Sequence, residues 1–179
     1  MKFSERWLRT MADPPIGTVE LCEKLTMAGL EVEDAVPAAP RFSGVVVARI
    51  EKIDPHPNAD RLSVCVVDIG ANERLQIVCG APNAAAGMKV PCATIGSQLP
   101  GGLDITRVTV RGVESQGMLC SAKELGIDDD ASGLLPLPAD ANVGANLRDI
   151  LALDDTLITL KLTPNRADCL SVLGIAREV

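Results

Sequence analysis

The sequence predicts an α+β fold in which a small barrel of five β-strands is inserted into a discontinuous domain of helices and strands. The middle of the chain holds five short β-rich runs, with Gly, Pro, Asn and Asp between them. The two flanks, residues 1–39 and 151–179, are too short to hold a core alone, yet each has an apolar face to bury. We therefore predict one domain built from both flanks, with residues 40–150 inserted between them.

The first flank carries the pattern of two helices and a strand. Ser4 is expected to cap a short helix, and Thr18 is expected to cap a second one. The apolar residues that share a face of the second helix are Leu21, Leu25 and Ala28. Gly29 follows that helix at the position where a left-handed residue commonly ends one. Alternating apolar residues over 30–36 then predict a short strand.

The middle of the chain predicts the five strands of the barrel. The β-rich runs are Val45–Ile50, Leu62–Ile69, Leu75–Cys79, Lys89–Ile95 and Ile105–Val110. In the last run, alternation places Arg107 and Thr109 on one face and the two valines on the other. Residues Ser121–Leu125 are expected to form a short helix that ends at Gly126.

The second flank predicts one strand and one helix. Residues 157–162 alternate as a strand would, and Pro164 ends the pattern. The helix that follows is expected to bury Leu170, Leu173 and Ala176. Its pattern reaches Val179 without a capping residue, which predicts that the helix belongs to a longer chain.

Charge and hydropathy exclude several classes of protein. The chain has 24 acidic and 17 basic side chains and a formal charge of −7, whereas a general nucleic-acid coat protein is basic. No apolar run is long enough to cross a bilayer, and the charged start lacks the apolar stretch of a signal peptide. We expect a soluble cytoplasmic protein with no membrane partner.

Cysteine and histidine usage argues against a metal centre and against most catalytic sites. The six cysteines, at positions 22, 65, 79, 92, 120 and 169, form no CxxC pair, so we predict neither zinc nor a disulfide. The only histidine, His56, lies between Pro55 and Pro57 and is interpreted as a rigid turn residue. No phosphate-binding glycine loop is present. We predict no catalytic residue and no cofactor in this chain.

An RNA-binding surface is the remaining possibility. Barrels of the oligonucleotide-binding (OB) type usually stack bases on aromatic side chains, but Phe42 is the only aromatic residue in 41–150. Recognition of a folded RNA through its phosphates and 2′-hydroxyls does not require stacking. The candidate RNA contacts are Arg41, Lys52, Arg61, Arg74, Lys89, Arg107, Arg111 and Lys123, with Arg49 as a further basic residue of the same segment.

Several sequence blocks in the middle segment resemble the tRNA-binding OB domain shared by several aminoacyl-tRNA synthetases and their cofactors. The blocks are His56-Pro-Asn-Ala-Asp-Arg-Leu62, Val67-Asp-Ile-Gly70, Gln76-Ile-Val-Cys-Gly-Ala-Pro-Asn83, Leu99-Pro-Gly-Gly102 and Arg111-Gly-Val-Glu-Ser-Gln-Gly-Met-Leu-Cys-Ser121. Their glycines Gly80, Gly102, Gly112 and Gly117 are expected to supply turns or close backbone approach. Asn58 and Asp60 are expected to accept hydrogen bonds from turn amides.

The flanks narrow the resemblance. The segments Lys24-Leu-Thr-Met-Ala-Gly-Leu-Glu-Val-Glu33 and Leu162–Glu178 are similar to the β chain of bacterial phenylalanyl-tRNA synthetase. That resemblance implies an α2β2 ligase that joins phenylalanine to tRNA-Phe with ATP and magnesium. It also implies that catalysis belongs to the α chain, so this chain would assist tRNA binding and subunit architecture.

Two other functions stay open at this stage. The chain could be a free-standing tRNA-binding module, although such a barrel would not need the two flanks. It could also be a structural or protein-interaction module whose barrel does not bind RNA, which the acidic balance and the scarcity of aromatic residues favour.

Overall fold

The computed structural model describes residues 1–179, with eleven strands and four α-helices. In chain order they are β1 (Lys2–Ser4), α1 (Glu5–Arg9), α2 (Thr18–Met27), β2 (Glu31–Pro37), β3 (Ser43–Pro55), β4 (Ser63–Asp68), β5 (Leu75–Cys79), β6 (Lys89–Leu99), β7 (Leu103–Asp104), β8 (Val108–Val110), β9 (Val113–Ser115), β10 (Gly117–Leu119), α3 (Leu147–Ile150), β11 (Thr156–Lys161) and α4 (Val172–Ala176). They form two compact units. The flank unit comprises Met1–Ala39 and Leu153–Val179, and the middle unit comprises Pro40–Ala152.

The flank unit is built on a three-stranded antiparallel sheet in the order β1-β11-β2. The central strand β11 comes from the second flank. Its Thr159 pairs with Lys2 of β1, and its Leu157 pairs with Val36 of β2. One core contains buried residues of both flanks: Phe3, Leu8, Leu21, Leu25, Leu30, Ile158, Leu160, Cys169, Val172 and Ile175. Neither flank alone supplies all of these side chains.

Of three helix ends predicted in the flank unit, two are confirmed and one is wrong. Ser4 caps α1 by accepting a hydrogen bond from Trp7 N, and Gly29 has the left-handed φ of 85° expected after α2. The prediction that Thr18 caps α2 is wrong, because Gly17 is the cap residue. The Thr18 hydroxyl instead donates to the buried carboxylate of Glu5 at 2.8 Å.

The predicted face of the last helix is also wrong. Leu170 and Leu173 are exposed, whereas Val172 and Ile175 are buried. The cause is a break in the helix: a 3₁₀ segment, Pro164–Cys169, ends before Ser171, whose hydroxyl caps the separate helix α4. The break rotates the second helix relative to the continuous pattern that the sequence predicted.

The middle unit contains a curled antiparallel sheet of mixed strand lengths, in the order β10-β6-β3-β4-β5, with β7 added beside β6. Strand β3 pairs with β6 through Ser43–Arg49 and with β4 through Arg49–Pro55. The register of β3 shifts once in each ladder, and such bulges bend a strand and increase its twist. The buried residues on the sheet are Ala48, Ile50, Cys65, Val67, Ile77, Cys79, Val90, Cys92, Leu119 and Leu134.

Two predicted elements of the middle unit differ in the structure. The strand predicted over 105–110 is shorter, because β8 begins at Val108 and pairs only with β9 in a separate two-stranded sheet. The helix predicted at Ser121–Leu125 is a turn. Its backbone is held locally, since the Glu124 carboxylate accepts hydrogen bonds from both the amide and the hydroxyl of Ser121, and Gly126 follows with a φ of 65°.

No helix of the structure combines the length and the apolar character that crossing a membrane requires. All six cysteines have free thiols; five of them are buried and Cys22 is half-buried.

Candidate nucleic-acid interface

The candidate basic residues of the middle unit differ in whether a carboxylate already neutralises them. Arg49 and Arg74 share two acids: Arg74 lies 2.9 Å from Glu51 and 3.1 Å from Asp68, while Arg49 lies 3.3 Å from Asp68 and 3.4 Å from Glu51. The backbone amide of Gly70 also donates to Asp68 at 2.9 Å. We call Arg49, Glu51, Asp68 and Arg74 the paired cluster.

Two further candidates form exposed ion pairs. Lys52 contacts Asp54 at 2.6 Å, two residues along the same strand. Arg107, which directly precedes β8, contacts Glu114 of β9 at 3.5 Å. Exposed pairs of this kind contribute about 0–1 kcal/mol, so a phosphate can compete for either cation.

Lys89 is committed to the fold. Its ammonium group donates to the carbonyl oxygens of Ala139 at 2.5 Å and Ala141 at 2.7 Å. Its own carbonyl accepts from Leu137 N at 2.9 Å. Lys89 therefore fixes the 137–141 segment to β6, and its charge is partly satisfied by these two carbonyl groups.

Four candidates, Arg41, Arg61, Arg111 and Lys123, are exposed and have no carboxylate within ion-pair distance. Two of them, Arg61 and Arg111, lie on turns that contact each other. Arg111 and Gly112 form the two-residue turn between β8 and β9, with φ values of 46° and 89°. Positive φ at both positions is the geometry of the type I′ hairpin turn, which places the Arg111 side chain at the tip.

The turn that carries Arg61 is fastened to this hairpin by two side chains. His56 Nε2 lies 3.1 Å from Val110 O, and Asn58 Nδ2 donates to Arg111 O at 2.9 Å. Asn58 was expected to accept a hydrogen bond through its side chain, but here its side chain donates. We call residues 56–62 and 110–112 the two-turn site, because these contacts hold Arg61 and Arg111 on adjoining segments.

The aromatic residue that could have stacked a base is already covered. Phe42 is 7% exposed, and the guanidinium carbon of Arg148 lies 4.8 Å from the centre of its ring. The Arg148 side chain also donates to Pro40 O at 2.9 Å. Arg148 is not among the residues predicted from the sequence, and only its spatial position above Phe42 identifies this role. Phe42 is therefore not available to stack a base.

A cavity of about 440 Å³ lies between the segment after β5 and the 121–134 region. Lys123 is on its rim, and Cys79, Met118 and Leu134 are part of its wall. Asn83 fixes this wall by hydrogen bonds of 2.8 and 2.9 Å to the backbone of Leu134. The cavity offers one unpaired cation and a lining in which polar and apolar surface are about equal.

The thiols of the middle unit have different acidities. A hydrogen bond from the Cys65 thiol, the largest cause, and one from the Ala81 amide lower the pKa of Cys79. Burial raises the pKa of Cys92 to about 12 and, with the nearby Glu124 carboxylate, raises the pKa of Cys120 to about 12. Cys79 is therefore the thiol of this unit that most readily ionises.

The flank unit brings together three potential metal ligands, which lie within 4.8 Å of one another: Asp168, Cys169 and Glu178. Arg166 already supplies the positive charge there, at 3.0 Å from Glu178 and 3.5 Å from Asp168. Burial, as the largest cause, raises the pKa of the Cys169 thiol, and zinc binds the thiolate form. The chemistry of this group fits an arginine-centred ion cluster, and the absence of zinc stays a prediction.

Comparison with known proteins connects this geometry to a family. A family model described as a putative tRNA binding domain matches residues 45–146, which include the two-turn site and Lys123.

Relatives of the whole chain are similar over its full length. It is 63% identical over 179 residues to the phenylalanine–tRNA ligase β subunit of Aromatoleum aromaticum and 64% identical to that of Methylococcus capsulatus. Each alignment covers 100% of this chain but only 22% and 23% of the two relatives. The chain thus corresponds to the N-terminal part, about a fifth, of these proteins.

Solved structures resemble only part of the chain. The C-terminal domain of Plasmodium vivax p43 is 21% identical, with a TM-score of 0.42, and the alignment covers 56% of both chains. A MetRS-related protein from Pyrococcus horikoshii is 26% identical, with a TM-score of 0.41, and the alignment covers 56% of this chain and 85% of that one.

Proposed function

We propose that this chain, which belongs to the tRNA-binding domain family, forms the non-catalytic N-terminal part of a bacterial phenylalanine–tRNA ligase β chain. In that role it contributes tRNA binding and subunit architecture. The high identity to two ligase β subunits over the full chain supports the proposal. The parent enzyme would be the phenylalanine–tRNA ligase, with tRNA-Phe as substrate.

The middle unit is proposed to be a five-stranded OB barrel inserted into a discontinuous domain formed by the two flanks. The sheet order β10-β6-β3-β4-β5 supports a barrel, since its two outer strands also approach each other. Gln116 N, just before β10, donates to Gln76 O of β5 at 2.8 Å, and Val78 N donates to the Ser115 hydroxyl at 3.0 Å. The single core shared by both flanks supports the discontinuous domain.

The two-turn site is the observation that carries the RNA-binding proposal. It lies within the segment that the family model matches, and it holds two arginines that no carboxylate neutralises. Lys123 and Arg41 are proposed as additional contacts, whereas Lys52, Arg74, Lys89 and Arg107 would contribute less because each already has a partner. The formal charge of −7 gives little long-range attraction, so we propose weak binding.

The remaining features of the parent enzyme are proposals for this chain that rest on its resemblance to the family. We propose an α subunit as partner in an α2β2 assembly, ATP and magnesium as requirements of the parent enzyme, and the cytoplasm as its location. This chain supplies no catalytic residue to that reaction.

A salt titration tests the RNA-binding proposal. Fluorescence anisotropy of labelled tRNA-Phe is measured against the 179-residue chain at several salt concentrations. With about two to four phosphate contacts, log affinity should fall with log salt with a slope of roughly −2 to −4. The double variant Arg61→Gln and Arg111→Gln should make that slope shallower by about 2. Glutamine keeps part of the apolar stem, so the loss reflects charge.

A matched control removes the same charge elsewhere. Arg6 and Arg177 are exposed residues of the flank unit with no carboxylate partner. The double variant Arg6→Gln and Arg177→Gln should leave the slope unchanged. An equal effect of the two double variants would indicate a non-specific charge effect, and tight binding at high salt would contradict a purely ionic contact.

An architectural role without RNA binding is the second candidate. The paired cluster favours it, because two of the nine basic residues considered in the middle unit are neutralised by acids within the fold. Under this reading neither double variant changes an already negligible affinity.

A further inference from the structure

His56 is the only histidine of the chain, and both of its ring nitrogens are engaged. The side chain is 5% exposed. Nδ1 lies 3.1 Å from the backbone amide nitrogen of Asn58, and Nε2 lies 3.1 Å from Val110 O. The sequence predicts that His56 is a rigid turn residue, and these contacts place its ring between two turns.

The partners determine which nitrogen carries the proton. A backbone amide can only donate, so Nδ1 must accept with its lone pair. A carbonyl oxygen can only accept, so Nε2 must carry the hydrogen. Both bonds therefore exist together only in the neutral Nε2–H tautomer. A second proton on Nδ1 would point at the Asn58 N–H, and the hydrogen bond within the turn would be replaced by a donor facing a donor.

No carboxylate contacts the ring to compensate an added proton. The charged residues on the elements beside His56 are Asp54, Asp60 and Arg61 on its own segment and Arg107, Arg111 and Glu114 on the β8–β9 hairpin. Of the acids among them, Asp54 is paired with Lys52 and Glu114 with Arg107. Asp60 makes no hydrogen bond to the imidazole.

We propose that His56 is a positioning residue for RNA: Nε2–H joins its turn to the hairpin, and the lone pair of Nδ1, present only in the neutral form, fixes the shape of the 56–62 turn, so that Arg61 and Arg111 both reach phosphates of one folded RNA. The inference rests on the proposed function, because it assigns a proton-dependent control to the same two-turn site. Protonation of His56 would loosen the 56–62 turn by removing the Asn58 N–H bond to Nδ1, while both bonds to the hairpin, from Nε2–H to Val110 O and from Asn58 to Arg111 O, stay in place.

The sign of the pH effect separates this role from simple electrostatics. Histidine side chains change charge between roughly pH 5 and 8. An additional positive charge near a phosphate strengthens binding, so electrostatics alone predicts tighter tRNA binding as pH falls. A positioning role predicts the opposite, because acid removes a hydrogen bond on which the placement of Arg61 depends.

The tautomer is tested without RNA. Because the chain has one histidine, a long-range ¹H–¹⁵N spectrum of the imidazole contains a single set of signals. The neutral Nε2–H form is expected near pH 8, and the Asn58 amide should shift together with the ring during acid titration. A neutral Nδ1–H form, or a ring titration that leaves the Asn58 amide unchanged, would overturn the inference.

The function is tested by tRNA-Phe anisotropy from about pH 8 to about pH 5.5 at constant ionic strength. Affinity of the 179-residue chain should fall roughly 3- to 10-fold, the factor that losing one hydrogen bond commonly costs. His56→Gln keeps a donor and an acceptor but cannot titrate, so it should bind with little pH dependence. It retains the other titrating groups, including Cys79, and therefore controls for them.

Asn58→Ala provides a second variant that leaves the imidazole intact. It removes the side-chain bond to Arg111 O and should lower affinity while keeping the pH dependence. Binding that strengthens or does not change in acid would overturn the positioning role and leave the proposed function standing. No tRNA binding at any pH would overturn the proposed function itself, and the role of His56 in RNA binding with it.

Discussion

Two pairs of arginines in the middle unit differ in their surroundings. Arg49 and Arg74 share two carboxylates at 2.9–3.4 Å, whereas Arg61 and Arg111 lie on contacting turns with no carboxylate partner. The four residues are chemically identical and lie in one unit with an excess of acids. Availability for a ligand therefore depends on strand pairing and turn geometry, and the number of basic residues does not predict it.

The largest expected effect concerns the paired cluster. Asp68 is 8% exposed and accepts from Gly70 N besides its two arginines. The substitution Asp68→Ala should lower the free energy of unfolding by about 2 kcal/mol, because Arg49, Arg74 and the Gly70 amide all lose their shared acceptor. The measurement is urea unfolding. Asp129→Ala is the control, since Asp129 is exposed and has no ion pair. An equal loss of unfolding free energy in both variants would show that the paired cluster stabilises the fold no more than an exposed carboxylate does.

A second prediction extends the comparison to thiols of the same unit. Hydrogen bonds lower the pKa of Cys79, whereas burial raises the pKa of Cys92 and that of Cys120 to about 12. Alkylation by iodoacetamide should therefore modify Cys79 at least about tenfold faster than the other two near pH 7. Its rate should rise with pH, because the thiolate is the reactive form. Mass spectrometry of the modified peptides checks this, and Cys79→Ser should remove the fast reaction.

A third prediction sharpens the contrast between the two arginine pairs. The double variant Arg49→Gln and Arg74→Gln should change tRNA-Phe affinity by less than about twofold, because their charges are already neutralised. It should nevertheless lower the free energy of unfolding by about 1 kcal/mol, since Asp68 loses its partners. Anisotropy and urea unfolding measure the two quantities on the same samples. A loss of affinity as large as that from Arg61→Gln and Arg111→Gln would remove the distinction between the pairs.

The smallest effect is expected at Lys52. Its side chain and that of Asp54 are 66% and 51% exposed, so solvent screens their attraction. Lys52→Gln should change the free energy of unfolding by less than about 0.5 kcal/mol. Urea unfolding of this variant is compared with that of the unaltered chain. A loss of unfolding free energy above about 1 kcal/mol would show that the Lys52–Asp54 pair stabilises the fold more than an exposed ion pair usually does.

Local patterns in the sequence predicted the elements whose causes are local. Ser4 and Gly29 mark helix ends through hydrogen bonding and backbone conformation within a few residues. The exposed Leu170 and Leu173 were predicted as buried, because a helix pattern contains no information about the break before Ser171. The Ser121–Leu125 turn was predicted as a helix for a similar reason.

The candidate site could be predicted only by residue type. The pairing of Arg49 with Asp68 arises from the β3–β4 register, where the two residues face each other. The sequence does not specify such a register directly. His56 was recognised as part of a turn, but its second contact, with Val110, joins residues 54 positions apart. Asn58, two residues further on, was predicted to bond within its own turn, whereas its side chain reaches Arg111 O of the hairpin.

The central position of β11 has a consequence for the order in which the chain acquires structure. Lys2 pairs with Thr159, so the first strand has no partner until more than 150 residues have been synthesised. Translation adds about 5–20 residues per second, which leaves the N-terminal segment waiting on the order of 10–30 s. During that interval Leu21 and Leu25 have no core to enter, although the middle unit can already form its own sheet. We expect a nascent chain halted before residue 156 to expose these leucines to chaperones.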